Sequence, residues 1–105
     1  MLTDLARPNV FEIDLGVVAR NTATIRKQIG SKTFFFATVK ADAYGFGLLH
    51  CVPPILAAGA DGLSLSNFDD AVRLRQSGVK HPILVYAGAA IASQLVDAAC
   101  EHDLM

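Results

Sequence analysis

The chain is 105 residues long, 52% of its residues are apolar, 18% are charged, and the formal net charge is −1. This length allows one small domain at most, and a mean hydropathy of +0.39 is high for that size, which predicts an apolar surface that needs a partner. Because acids and bases are interspersed, the charge pattern excludes a basic nucleic-acid surface and a cationic amphipathic membrane face.

The first predicted unit is a strand followed by a helix. Val10–Ile13 is short and β-prone, and its apolar and polar residues alternate. Asp14 can cap a helix over residues 15–29, whose apolar residues form one stripe, and Gly30 ends it. A nearly continuous apolar run at 33–39 then predicts a second strand, buried on both faces.

The middle of the chain repeats this order. Residues 48–58 are typical of a helix closed by a glycine, and Pro53-Pro54 within them predict a kink or a later start. Residues 61–66 predict a third strand. Asn67 begins the next helix, which has acids in its first turn and ends before Gly78.

The last predicted unit is a strand at 82–86 and a helix from about Ala90 to about His102. Four strand-helix units with short connections require parallel strands. An open doubly wound sheet would show a Gly-rich nucleotide turn after its first strand, whereas residues 14–19 contain a single glycine. We therefore predict an α/β fold in which parallel (β/α) units form the first half of a TIM-type (β/α)8 barrel, with bare strand edges and an apolar interior.

One lysine ends an apolar strand. Lys40 lies at the carboxyl end of the second predicted strand, where the chemistry of such barrels gathers. A lysine there either extends to the surface or keeps its amine neutral, shielded from water, to form an imine with a carbonyl compound or pyridoxal phosphate. Tyr44 follows four residues later, and Gly45 and Gly47 lead into a helix whose first N–H groups can receive an anion. A ligand with an aldehyde and a phosphate suits such a loop.

The segment Val39–Gly47, VKADAYGFG, resembles the cofactor signature V-K-A-N-A-Y-G-H-G of the alanine racemases, whose first domain is a (β/α) barrel. Further matching segments occur in the family's order at 12–15, 57–62 and 82–85, and the resemblance covers nearly all of the chain. It implies an isomerase that uses pyridoxal 5'-phosphate to interconvert L- and D-alanine.

The resemblance implies roles for two residues. Lys40 would hold pyridoxal phosphate covalently and act as one of two bases at the α-carbon of the substrate, and Tyr44 would bind the cofactor phosphate. The second base and the partner of the pyridine nitrogen come from later in the family's chain. Residues 1–105 would therefore be the amino-terminal half of the cofactor-binding barrel domain, inactive alone, with the rest of the barrel and a C-terminal domain outside this chain. The family implies a homodimer that acts on a small amino acid.

The chain departs from the signature at two positions. Asp42 stands where the family has Asn, and Phe46 stands where it has His. We expect these changes to remove a polar contact near the loop and to bring a negative charge close to the phosphate. Two other functions stay open. One is another pyridoxal-phosphate barrel enzyme, such as a different amino-acid racemase, a D-threonine aldolase-like enzyme or a decarboxylase, and the other is a non-catalytic half barrel that self-associates.

The remaining polar residues predict little chemistry. Cys51 and Cys100 are far apart and lack metal-ligand spacing, so we expect two buried thiols, with neither a disulfide nor a metal site. The three histidines are expected at the surface or an interface, and Tyr86 either lines the pocket or fills the barrel mouth. No segment is long enough to span a bilayer and no run of signal length opens the chain, so we expect a cytoplasmic protein.

Overall fold

Helices and short strands alternate along the chain in a computed structural model that describes residues 9–86 and 93–105. A short left-handed helical turn, Lys40–Tyr44, lies between the first strand and the second helix. The regular elements are α1 (Leu15–Ile29), β1 (Phe36–Thr38), α2 (Leu48–Ala57), β2 (Gly62–Leu65), α3 (Phe68–Gln76), β3 (Ile83–Val85) and α4 (Ser93–Glu101).

The three strands form one parallel sheet in the order β1-β2-β3. Thr38 is paired with Ser64, and Ser64 with Leu84. A doubly wound sheet reverses its strand order at a switch point, whereas this order follows the chain, as it does in a barrel. The predicted α/β class and the parallel pairing are confirmed.

The sheet is extended by the last residue of the chain. The Met105 N–H donates to the Ile83 carbonyl at 2.9 Å, and the Met105 carbonyl accepts from the Val85 N–H at 2.8 Å. This is the hydrogen-bond pattern of a further strand parallel to β3.

The strand predicted at Val10–Ile13 is wrong. The structure assigns no strand there, and among the described residues no backbone hydrogen bond joins this segment to β1. Val10 and Phe11 are 83% and 76% exposed. A short alternating segment becomes a strand only when a neighbouring edge accepts its hydrogen bonds, so its own pattern is not sufficient.

The helix starts follow the predicted capping residues. The Asp14 carboxylate accepts from two N–H groups in the first turn of α1, at 2.9 and 3.2 Å, and the Asn67 side chain does the same for α3, at 2.8 and 3.3 Å. Helix α2 begins at Leu48 with both prolines inside it, so the later start is wrong. The predicted start near Ala90 lies outside the described residues. No helix in the two described ranges is long and apolar enough to cross a membrane.

The two faces of the sheet have different surroundings. On one face, Leu63, Leu65 and Ile83 are buried with residues of α2 and α3, including Val52 and Leu74. Because strand side chains alternate, the intervening residues point to the opposite face, which we call the open face. The open face carries Phe36, Thr38, Gly62, Ser64 and Leu84.

Gly62 is required by the packing of the open face. A Cβ atom at this position would lie 2.9 Å from the ring of Phe36 and 2.9 Å from the carbonyl oxygen of Pro82. The Phe36 ring therefore covers the neighbouring strand directly. This contact fills the open face near the amino-terminal ends of the strands.

Arg26 of α1 joins the loops at the amino-terminal ends of β1 and β2. Its Nε donates to the Gly59 carbonyl at 2.9 Å, and its Nη1 donates to the Gly30 and Thr33 carbonyls, both at 2.8 Å. Its Nη2 forms an ion pair with Asp61. One side chain thus connects the end of α1, the approach to β1 and the approach to β2.

Arg75 of α3 repeats this arrangement for the next pair of units. Its Nη1 donates to the carbonyls of Val79 and His81, at 3.0 and 2.7 Å, in the loop that follows its own helix. Its Nε and Nη2 donate to His102 and Asp103, at 2.8 and 2.9 Å, where α4 ends. The two arginines thus have corresponding positions, since each connects the end of its own helix to the segment that follows the next helix.

The Asp61 carboxylate fixes β1 against β2. Its Oδ2 accepts from the Phe35 N–H at 2.8 Å and also from Arg26. These two hydrogen bonds hold the pKa of Asp61 below its usual value, in that order of importance. The ionised form is therefore stabilised by folding.

We expect Asp61→Asn to lower the free energy of unfolding at neutral pH, because the amide has no charge to pair with Arg26. Because folding lowers the pKa of Asp61, the carboxylate stabilises the folded state fully at pH values above the pKa in the unfolded chain, about 4. This stabilisation is lost as the pH falls through the lower pKa of the folded protein. Urea unfolding at pH 7 and pH 3 measures this, with Glu12→Gln, an exposed side chain, as the control. An equal loss of stability at both pH values would contradict the assignment.

Candidate active site

The carboxyl ends of three neighbouring strands form the rim on which the predicted site lies. Lys40 follows β1, Ser66 follows β2 and Tyr86 follows β3. The sheet reaches this rim, since the Tyr86 N–H donates to the Leu65 carbonyl at 3.0 Å. Ser66 was predicted as the last residue of the third strand, whereas the structure ends that strand at Leu65, so Ser66 lies at the rim. Tyr86 lies at the rim as predicted and is 43% exposed.

Lys40 begins the left-handed turn. The residues from Ala41 to Tyr44 all have φ between 53° and 58°, and none of them is glycine. The left-handed conformation costs an L-residue about 1–2 kcal/mol. Four such residues in succession are therefore a strained segment that the surrounding structure must support.

The turn has a buried side and an exposed side. The Ala43 N–H donates to the Val39 carbonyl at 3.0 Å, and both side chains are buried in the core on the helix side of the sheet. Residues four apart lie on the same side of a helical turn. Lys40 and Tyr44, by contrast, are both exposed, and the exposed fraction of Tyr44 is 55%.

Among the described residues, the side chain of Lys40 is exposed to water. The sequence predicted a lysine that either extends to the surface or is shielded, and within residues 9–86 and 93–105 Lys40 lies at the surface.

Asp42 caps the helix that follows the turn. Its Oδ1 accepts from the Leu48 N–H at 2.9 Å, and its carbonyl accepts from the Gly47 N–H at 3.0 Å. Asp42 thus makes a polar contact within the loop, and the expected loss of a contact through the two departures together stays a prediction. The N–H groups of Leu48 and Gly47 therefore do not form the anion site that the glycines predicted, because both already donate hydrogen bonds to Asp42.

Phe46 packs against another exposed aromatic residue. Its ring stacks on Phe11, with 5.7 Å between centroids and 11° between planes. Phe46 is 45% exposed. Phe46, which differs from the family signature, thus connects the left-handed turn to the segment that precedes α1.

A hydroxyl pair lies on the open face, just before Lys40. Thr38 Oγ1 and Ser64 Oγ are 2.9 Å apart. Ser64 is 6% exposed, whereas Thr38 is exposed. The sequence analysis missed this pair, although hydroxyl residues within otherwise apolar strands were a signal.

The two cysteines have different surroundings. Cys51 is buried, and burial together with the negative charge of Asp42 raises the pKa of its thiol. Cys51 is therefore an unreactive, protonated thiol. Cys100 is exposed, so the prediction of a buried thiol is wrong there. In the described part of the chain, no three His, Cys, Asp or Glu side chains are grouped so that they could hold a metal.

Comparison with known sequences matches this chain to a protein family. The profile described as alanine racemase, N-terminal domain, matches residues 13–105. Alanine racemase 1 of Bacillus subtilis is 39% identical over 93 residues, which cover 89% of this chain and 23% of that protein. The alanine racemase of Streptococcus uberis is 36% identical over 104 residues, which cover 99% of this chain and 27% of that protein. The chain thus spans about a quarter of the length of these relatives.

Solved structures of proteins named alanine racemase contain the fold of this chain. The alanine racemase from Bacillus anthracis, solved with bound L-Ala-P, matches 91% of this chain with a TM-score of 0.81 and 30% identity. The alanine racemase from Corynebacterium glutamicum matches 88% with a TM-score of 0.79 and 29% identity. In each case 26% of the solved chain is covered.

The strain in the turn can be measured by substitution. We expect Ala41→Gly to raise the free energy of unfolding by about 1 kcal/mol, because glycine adopts φ of 53° without the Cβ penalty. The matched control is Ala23→Gly, at an exposed position inside α1, which should lower it by about 1 kcal/mol. Urea unfolding of the full-length protein measures both, and a loss of stability at position 41 would show that the turn is not left-handed.

Proposed function

The chain belongs to the alanine racemase family, and we propose that it is the amino-terminal part of the cofactor-binding barrel of a pyridoxal-phosphate-dependent racemase that interconverts L- and D-alanine. The observation that supports this most directly is the left-handed turn at the carboxyl end of β1, in which both Lys40 and Tyr44 are exposed. The carboxyl ends of the strands are where barrel enzymes place their reacting groups.

The side chains at the rim fit pyridoxal phosphate at two points. Lys40 supplies a primary amine, which is the group that bonds covalently to an aldehyde. Tyr44 supplies a hydroxyl that can donate a hydrogen bond to a phosphate oxygen. The glycine turn contributes less to phosphate binding than its sequence suggests, because Asp42 already accepts from Leu48 and Gly47.

In the proposed reaction Lys40 has two roles. Its amine would hold the cofactor covalently and, when free, would remove or return the proton on one face of the α-carbon. Bound pyridoxal phosphate supplies an electron-accepting ring for this chemistry. Since Lys40 is exposed here, we propose that the shielding its amine needs comes from the part of the barrel that closes over the open face.

Inversion at carbon requires a second base on the opposite face of the substrate. This chain covers about a quarter of its relatives, so we propose that the second base and the partner of the pyridine nitrogen lie outside residues 1–105. On this proposal residues 1–105 are the amino-terminal half of the barrel domain and are inactive alone. We further propose that the whole protein is a cytoplasmic homodimer that acts on a small amino acid.

We expect Lys40→Ala to abolish covalent binding of pyridoxal phosphate in the full-length protein, because Lys40 is the amine that the described residues place at this rim. Borohydride reduction followed by mass spectrometry of the intact protein and of its peptides measures and locates the covalent adduct, and loss of optical activity of L-alanine reports the reaction. Lys32→Ala, at an exposed lysine in the loop before β1, is the control and should leave both measurements unchanged. A covalent adduct that persists in the reduced Lys40→Ala protein, or one on a lysine other than Lys40 in the unaltered protein, would refute the proposal.

We expect Tyr44→Phe to weaken binding of pyridoxal phosphate by roughly fivefold to tenfold, since one hydrogen bond to a charged oxygen is lost. Binding of pyridoxal, which has no phosphate, should be nearly unchanged, and titration of the visible absorbance measures both. Equal weakening of the two compounds would show that Tyr44 does not contact the phosphate.

A further inference from the structure

The stacked rings of Phe11 and Phe46 have no role in the reaction proposed above. Their centroids are 5.7 Å apart and their planes differ by 11°, a stacked arrangement of the kind that aromatic rings prefer. Phe11 lies before α1 and Phe46 lies between the left-handed turn and α2, so the contact joins two segments that are distant in the chain. Because both rings are largely exposed, the contact adds little to the core, and its importance lies in what it connects.

Phe46 is the residue through which the stack reaches the turn. Its N–H donates to the Ala43 carbonyl at 3.1 Å, inside the turn. Its neighbours Gly45 and Gly47 have φ of 86° and 98°, and neither has a side chain that could fix its position. Phe46 is therefore the residue of this linking segment whose side chain can fix where the turn ends.

Phe11 lies in a segment that is attached to the body of the protein. Ile13, which follows it closely in the chain, packs against the core. Asp14, the next residue, caps α1 through two hydrogen bonds. A ring this close along the chain to two anchored residues stays near the start of α1. Phe11 can therefore act as a fixed support for Phe46.

The left-handed turn needs such support because its backbone is strained. All four residues at 41–44 have φ between 53° and 58° and carry a Cβ atom. Rotation of these residues to negative φ would relieve the strain, and the glycines that follow permit the change at little cost. Because the Phe46 N–H is bonded to Ala43, this rotation would also carry the Phe46 ring away from Phe11. The stack therefore opposes the rotation.

We propose that Phe11 is a positioning residue that acts through Phe46 to keep the turn left-handed, and so keeps Lys40 and Tyr44 at the rim. The value of this for cofactor binding rests on the proposed function, whereas the hold on the turn does not. A stack with a merely structural role would contribute to the stability of the whole protein and would leave local opening of the turn unchanged.

The test is amide hydrogen exchange in the full-length protein without cofactor, measured by mass spectrometry with fragmentation to single residues. The reporting amides are those of Ala43, Gly45 and Gly47, which donate to carbonyl oxygens within or next to the turn. The reference amides are those inside α3. An amide exchanges when its hydrogen bond opens, so the reporting amides measure opening of the turn and the reference amides measure opening elsewhere.

We expect Phe11→Ala to raise the exchange rate of the reporting amides about fivefold and to leave the reference amides unchanged, because loss of the stacked ring makes local opening easier. Phe46→Ala should have the same effect, and the double variant should add nothing further. Phe11→Tyr keeps a stacked ring and should exchange like the unaltered protein. Phe34→Ala removes a comparably exposed ring that contacts Phe36, at the other end of β1, and is the matched control.

Titration with pyridoxal phosphate is the second measurement. The cofactor binds molecules whose turn is formed, so its apparent affinity falls with the fraction of such molecules. We expect Phe11→Ala to bind pyridoxal phosphate about twofold to threefold more weakly than the unaltered protein. Phe11→Tyr and Phe34→Ala should bind it with unchanged affinity.

Unchanged exchange at the turn in Phe11→Ala, or in Phe11→Leu if the first variant does not fold, would overturn the inference. Exchange that rises equally at the turn and in α3 would also overturn it, since Phe11 would then contribute only to overall stability. Unchanged affinity for the cofactor in a variant with a faster-opening turn would show that the stack positions nothing. If exchange responds as expected but the unaltered protein forms no covalent complex at Lys40, the proposed function fails while the hold of Phe11 on the turn stands.

Discussion

The geometry of the rim depends on how β1 is placed against β2, and the Asp61 carboxylate fixes that placement. Asp61 accepts from the Phe35 N–H and from Arg26, and its own N–H donates to the Phe35 carbonyl at 2.8 Å. At the other end of the strand, the Val39 N–H donates to the Ser64 carbonyl at 2.9 Å. Because side chains alternate along a strand, a slip of one residue would move Thr38 to the helix side and bring core residues to the open face.

The two ends of the strands carry different features. At the amino-terminal ends, Arg26 and Arg75 each donate to several carbonyl oxygens and so hold the loops that lead into the strands. At the carboxyl-terminal ends lie Lys40 and its left-handed turn. This division agrees with the general behaviour of barrels, in which one end supports stability and the other carries chemistry.

The strain in the turn is matched by interactions on its buried side. Four left-handed residues cost several kcal/mol at about 1–2 kcal/mol each. Burial of Val39 and Ala43 in the core and the hydrogen bond from Leu48 to Asp42 offset this cost. In the same arrangement Lys40 and Tyr44 are exposed, so the turn buries some of its side chains and leaves these two at the surface.

Local patterns in the sequence determined the parts of this protein that depend on neighbouring residues. Asp14 and Asn67 cap helices because a short polar side chain reaches the first N–H groups of its own helix, and the alternation of strands and helices predicted the parallel sheet with Lys40 at its rim. Only the tertiary structure decided the left-handed turn, because three of the four residues in Ala-Asp-Ala-Tyr locally disfavour positive φ. It also decided that Val10–Ile13 is not a strand and that Thr38 meets Ser64, since both outcomes depend on which segments become neighbours across the sheet. Contacts between residues far apart in the chain follow from register and packing, which no short stretch of sequence specifies alone.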